Sequence, residues 1–201
     1  MNETDKPVRL LWVDVETTGL DPVRDHLLEA SVRVTDLSGV ELSRHHVLAR
    51  PEHWETVLKT MDAGWRHTHT VNGLIQAVDA VAPHLGDIRF AGLGLTAFIA
   101  AQAGEAVLRP AGWNPQFDMR WLTRTAPDAL GLLDYHWMDV QSAFALLEHL
   151  SPDTAKRILD QTPQTDHRSD QCLDREISVY RLLRQAMLIG PLGFHEVTPC
   201  S

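Results

Sequence analysis

The sequence predicts an α/β domain built on a mixed β-sheet. Three observations carry that expectation. The first third holds three extended apolar runs separated by turn residues. The remainder is dominated by apolar residues at three- and four-residue spacing, and short extended segments interrupt those helical stretches. In chain order, residues 1–8 are polar and charged and read as a short flexible tail. Arg9 to Val15 is an apolar run rich in bulky residues, a buried strand that ends on the carboxylate of Asp14. Thr17 to Pro22 is turn chemistry. His26 to Leu37 alternates Leu28, Ala30, Val32 and Val34 with polar residues and predicts a second strand. Ser38-Gly39 is a hairpin-type turn into a third strand, Val40 to Leu48, which Arg50-Pro51 ends.

Helical periodicity then takes over. Trp54 to Trp65 and Val71 to Leu85 predict two helices, the latter striped by Val71, Leu74, Ile75, Val78 and Val81. Leu95 to Ala103 predicts a compact apolar helix, with Gly92 and Gly94 as punctuation before it. Val107 to Trp113 is a strand candidate broken by Pro110. Pro115 to Thr125 is amphipathic, with Phe117, Trp121 and Leu122 on one side. Tyr135 to Val140 reads as extended, Gln141 to Leu150 and Pro152 to Leu159 as helices. Asp170 to Leu188 is the last long helix, striped by Leu173, Ile177, Tyr180 and either Leu183 or Leu182. The segment from Gly190 on, with two prolines, reads as loop.

The 201 residues fit one domain, bounded at residues 9–188 between tails at 1–8 and 189–201. Hydrophobic residues make up 44%, enough for a real core. No apolar run is long enough to span a membrane, and residues 1–8 lack an apolar signal segment. The two cysteines, Cys172 and Cys200, build neither a disulfide framework nor a zinc site, so a reduced, cytoplasmic protein is expected. The net charge of −9 argues against a protein that coats nucleic acid by charge alone. It leaves room for an enzyme that neutralises its own carboxylates with metal.

Carboxylates recur at element ends. Asp14 and Glu16 sit two apart, so in a strand they share a face. Two acids on one face at the end of a buried strand repel each other, and a divalent cation is the usual remedy. Oxygen ligands of this kind suit Mg²⁺ or Mn²⁺. Asp118 lies in the first turn of the helix from Pro115, where an acid also simply favours the helix dipole. His167 stands just ahead of the last helix. Trp65 and Trp113 serve either a base-stacking surface or the core. Asp139 follows an extended segment, either orienting a site or capping a helix.

The order of these residues resembles the DEDD exonuclease superfamily of RNase H-like fold, in its histidine-containing branch. The match lies in the eleven residues Trp12 to Pro22, in Asn114 to Asp118, and in His167. Within that superfamily the chain looks most like oligoribonuclease. The segments Met61 to Leu74 and Leu133 to Val140 are similar to that family's, and the spacing fits from about residue 9 to residue 188. The resemblance implies a 3′→5′ exonuclease that hydrolyses short RNA, or other short nucleotide chains, to nucleoside 5′-monophosphates. Asp14, Glu16 and Asp118 would hold two Mg²⁺ or Mn²⁺ ions; such pairs stand about 3.5–4 Å apart. His167 would be the general base, since an imidazole titrates near 6.5. Leu20 would wedge against a terminal base, and His69 with Tyr135 would help hold the 5′-phosphate. A homodimer is implied in the same way.

The chain departs from the family in two places. The fourth acid normally follows the histidine by five positions, and here that position is Cys172. Asp170 and Asp174 are each about 200° from it around a regular helix, and Glu176 lies on the same face about 6 Å further along. Asp170 is the expected substitute, acting as a metal ligand from a distorted helix start. The family's 5′-phosphate ligands are also replaced, by Pro115, His136 and Gln141. Two alternatives therefore stand beside the oligoribonuclease reading. One is a catalytically weakened member that binds nucleotides or a protein partner. The other is a proofreading-type nuclease of single-stranded DNA, suggested by the form of Asn114 to Asp118.

Overall fold

In the computed structural model, residues 6–83 and 86–189 are described. The expected loop from Gly190 on, Cys200 within it, and residues 1–5 lie outside the described residues. Five strands form one mixed sheet in the order β3-β2-β1-β4-β5. They are β1 (Val8–Thr17), β2 (Leu27–Thr35), β3 (Glu41–Leu48), β4 (Val107–Gly112) and β5 (Met138–Asp139). The first three form an antiparallel meander, while β4 pairs parallel to β1 and to β5. This is the mixed sheet flanked by helices that the sequence predicts. The first strand starts at Val8, at the boundary of the expected tail. The expected break at Pro110 is absent, and β4 runs through it. The neighbour on its outer side reaches only Ala111 and Gly112, so a residue without an amide can sit there.

The helices are α1 (Trp54–Thr60), α2 (Ala63–Val71), α3 (Leu74–Ala80), α4 (Ile88–Glu105), α5 (Pro115–Thr125), α6 (Pro127–Leu130), α7 (Val140–Leu150), α8 (Pro152–Gln161) and α9 (Ser169–Ile189). The stretch expected as one helix to Trp65 is two. Met61 turns extended, and Asp62 caps α2 by accepting from the Gly64 amide at 2.8 Å. Gly73, at φ 78, separates α2 from α3, a conformation that favours glycine. The apolar helix starts earlier than expected, because Asp87 caps α4 through the Arg89 amide at 2.8 Å. Gly92 and Gly94 thus fall inside α4 rather than ahead of it. A Cβ on Gly92 would lie 2.0 Å from the Thr125 carbonyl, so glycine is what lets α4 approach the end of α5.

The sheet is covered on both faces. On one, Leu11, Val13 and Val15 of β1 pack with Leu95 and Ile99 of α4 and Met119, Trp121 and Leu122 of α5. On the other, Leu10 and Trp12 pack with Phe144 of α7, Ile158 of α8 and Leu173, Ile177 and Tyr180 of α9. The period-2 alternation of β1 thus feeds both cores. Among the described residues no helix is long and apolar enough to cross a membrane.

Candidate active site

The face of β1 that carries Leu10 and Trp12 continues, two residues at a time, to Asp14 and Glu16. The parallel partner strand stops short of them: its last pair is Trp12 with Ala111. Beyond that point the edge of β1 is free, and the Val15 amide donates to Asp118 Oδ1 at 3.0 Å. Asn114, at φ 62, turns the chain into α5 there, with Pro115 in its first turn. From the other side α9 presents Cys172. Ligand atoms of Asp14, Glu16 and Cys172 lie within 4.8 Å of one another. One turn further along α9, Glu176 is buried against the same cluster. The site therefore opens at the carboxyl ends of β1 and β4, where parallel strands part and ligands commonly bind.

The electrostatics of this cluster are those of carboxylates short of a cation. Burial pushes the Asp14 carboxyl well above its ordinary range, and Asp118, Glu176 and Glu16 push it further. Burial, then Glu29 and Asp118, raise Glu16 to about 9, although the Arg168 guanidinium opposes them. Burial raises Asp118 to about 7 against the Val15 amide. Burial and then Asp118 raise Glu176, while the Trp113 amide opposes. The Cys172 thiol is likewise pushed up, by burial and then Asp14, and lies 3.1 Å from Thr165 Oγ1. Two buried carboxylate oxygens, Asp14 Oδ2 and Glu176 Oε2, have no hydrogen-bond partner. Unpartnered buried oxygens are costly unless neutralised. This donor set fits a hard divalent cation.

A polar seam between β2 and α9 sets the position of the last helix. Glu29 and Arg33, on β2, are 1% and 2% exposed. Glu29 receives the Arg168 guanidinium at 2.6 Å, the Ser169 amide at 2.9 Å and His46 Nε2 at 2.9 Å. Despite burial, those three bonds lower Glu29 to about 2. Ser31 Oγ meets Ser169 Oγ at 2.8 Å. His167 precedes this anchor by one residue, is exposed and adopts φ 61. Asn72 Nδ2 donates to its carbonyl at 2.5 Å, and its amide donates to Thr165 Oγ1 at 3.1 Å.

Asp14, Glu16 and Asp118 thus come together as expected, but Asp170 does not join them. Its carboxylate accepts from Arg33 Nη2 at 2.6 Å and lies 3.5 Å from Arg44 Nη1, on the seam side of α9. Helix geometry turns it away from Cys172, and a buried guanidinium holds it there. His69 is corrected as well. It is 0% exposed, and its Nε2 hydrogen-bonds the Thr17 carbonyl at 2.8 Å under the β1 end. Leu20 and Tyr135 are exposed, and the Tyr135 ring lies tilted against His136 with ring centroids 3.8 Å apart. Asp139 caps α7, accepting from the Ser142 amide at 3.3 Å and from its hydroxyl at 2.6 Å. The buried acid that the sequence reading set aside is Glu176, four residues after Cys172 on one helix face.

No protein-family model matches the chain. It is 30% identical over 155 residues to the oligoribonuclease of Idiomarina loihiensis, across 77% of this chain and 82% of that one. It is 33% identical over 147 residues to an oligoribonuclease of Escherichia coli, across 72% and 77%. Among solved structures, exonuclease I of Escherichia coli in complex with an oligonucleotide superposes with a TM-score of 0.61 at 15% identity, over 90% of this chain. The chain spans 41% of that structure's length, and the likeness is one of fold.

Proposed function

The chain belongs to the oligoribonuclease family, and from that premise we propose that its buried carboxylate cluster is the active centre of a 3′→5′ exoribonuclease acting on short oligoribonucleotides. The observation that carries the assignment is Asp14 Oδ2, sealed among like charges with no hydrogen-bond partner. Asp14, Glu16 and Asp118 would hold divalent cations, Mg²⁺ or Mn²⁺. Cations bound there would lower the pKa of the attacking water and neutralise charge on the leaving 3′-oxygen. His167, on its strained loop, takes the water's proton as general base. The Glu29–Arg168 pair fixes the residue next to it and so sets where the imidazole can swing. Exposed Leu20, at the end of the turn after β1, packs against the terminal base. Tyr135 offers an exposed ring and hydroxyl for the other end of a short chain. The chain carries no long basic track, consistent with a substrate of few nucleotides. The family likeness supports a cytoplasmic homodimer, which light scattering tests.

Digestion of a two-nucleotide RNA, a longer RNA and single-stranded DNA, each with Mg²⁺ and with Mn²⁺, tests this reading. The two-nucleotide RNA should be cleaved fastest, to nucleoside 5′-monophosphates. Asp14→Ala and His167→Ala should each remove the activity. No cleavage of any substrate with either metal would sink the enzyme reading. One observation favours a second reading, a weakened enzyme that chiefly binds: Cys172 stands where the family has its fourth acid. Activity created by Cys172→Asp in a chain that otherwise has none would establish it.

A further inference from the structure

The last helix presents two groups to the carboxylate cluster from one face, Cys172 and, four residues on, Glu176. The thiol is already engaged with Thr165 Oγ1 at 3.1 Å. Glu176 is only 9% exposed, yet its Oε2 has no partner, and Asp14 Oδ2 across the site has none either. The residues around Glu176 explain how it reaches the site. Helical side chains lean toward the N-terminus, so a glutamate one turn after residue 172 is tilted back toward that level. Its side chain is also one methylene longer than the aspartate it would replace. The end of β4 lies beside it, and a Cβ built on Gly112 would stand at ordinary contact distance, 3.5 Å from Oε2. The Trp113 amide favours the ionised carboxylate.

Resting on the active-centre reading above, we infer that Glu176 is the fourth carboxylate of a two-cation site, displaced one helical turn from the position that Cys172 occupies. Ligand atoms of Asp14, Glu16 and Cys172 already lie within 4.8 Å of one another. Glu176 would close on Asp14 and Asp118 as the second cation binds, giving that ion an all-oxygen set with the Cys172 thiol as a neighbour rather than a ligand. An all-oxygen set keeps the site selective for Mg²⁺ or Mn²⁺; a thiolate would draw it toward zinc and softer metals.

Titration of the metal-free full-length chain with Mn²⁺, counting free ion by electron paramagnetic resonance, reads the sites without catalysis. The native chain should bind two ions. Glu176→Gln should keep one and weaken the other by about 10–100-fold, a loss typical of disturbed metal shells. Cys172→Ser should bind both as the native chain does. Cys172→Asp combined with Glu176→Gln should regain the second ion, because the carboxylate returns one turn earlier. If Glu176→Gln fails to fold by circular dichroism, Glu176→Asp, shorter by one methylene, should weaken the same ion. Two unaltered ions in the Glu176 variant, or loss of the second in Cys172→Ser, would overturn the proposal. Asp14→Ala separates the levels. If it abolishes binding while Glu176→Gln leaves it intact, only the role of Glu176 fails. If Asp14→Ala itself binds two ions normally, the active-centre reading fails and the proposal with it.

Discussion

Raising the pH of the metal-free chain should cost it stability across the neutral range, and Mn²⁺ should return it. Glu16 shows why. Its carboxyl titrates near 4.5 in an unfolded chain and near 9 in the fold. Below the lower value both states hold the proton and nothing is lost. Above it the unfolded chain releases a proton that the folded chain keeps, and folding weakens by ~1.4 kcal/mol per pH unit until the higher value is reached. From pH 5.5 to 7.5, Glu16 alone removes ~3 kcal/mol. Asp118 acts in the same direction up to its own pKa of about 7. The raised pKa values of Asp14 and Glu176 add to the loss. Glu29 does not mask it. Held near 2, its contribution is complete above its unfolded value of 4.5 and is lost only as pH falls below that. For a chain of this length ~3 kcal/mol is roughly 6–12 °C of melting temperature. A divalent cation would bind the ionised cluster, so its stabilising effect should grow with pH. Thermal melts at pH 5.5, 6.5 and 7.5, in chelator and in millimolar Mn²⁺, measure both slopes. A metal-free melting temperature that is flat or rises over this window would refute the reasoning. So would a Mn²⁺ shift that is the same at all three values.

Three further outcomes follow from the packing. Arg168→Met leaves the buried Glu29 carboxylate without its guanidinium and should destabilise the fold by ~3–5 kcal/mol in urea unfolding. The Glu29→Gln, Arg168→Met pair should be milder than the single change, and a pair as damaging as the single would argue against that charge-burial account. His69→Ala removes the bond to the Thr17 carbonyl and a fully buried ring. It should lower the free energy of unfolding in urea by ~2–4 kcal/mol and leave KM for a 5′-phosphorylated dinucleotide unchanged, whereas a raised KM at native stability would return His69 to the substrate. Gly92→Ala would drive a methyl into the Thr125 carbonyl, and calorimetry should find ~1–3 kcal/mol of destabilisation.

The strands and the first acids were legible because period-2 patterning and a DxE spacing are local facts. Asp14 and Glu16 need only the pleat to share a face. Asp118 needs only to open a helix, and Pro115 signals where that helix begins. The helix boundaries at Met61 and Gly73 were less legible, since they depend on a cap at Asp62 and a left-handed glycine. The fate of Asp170 could not be read locally. It depends on Arg33, 137 residues earlier. The signal was present in β2, where Glu29, Ser31, Arg33 and Thr35 alternate with an apolar row and look like a solvated face. They are buried because α9 lies over them. His69 was misplaced for a related reason. It follows Trp65 by one helical turn, its ring tilted against the indole with centroids 5.8 Å apart, so it belongs to the inner stripe of α2.

That seam also constrains how the site could lose an acid at position 172 and keep its charge. A carboxylate could move around the last helix or along it. Moving around leads to Asp170 or Asp174, each about 200° away, and both are committed to Arg33. Freeing either toward the site would take a carboxylate from a guanidinium that is 3% exposed and leave its charge less well compensated. Moving along leads to Glu176, four residues on and only about 40° around the helix. There the side chain leans back toward the site, and no seam contact is lost. The Glu29 bonds to Arg168 and Ser169 lock the start of α9, so the helix cannot rotate to present a different residue. With rotation blocked and the seam side occupied, the axial shift by one turn is the displacement the fold permits. The same lock holds His167 in its place ahead of the helix, so a relocated acid need not disturb the proposed general base.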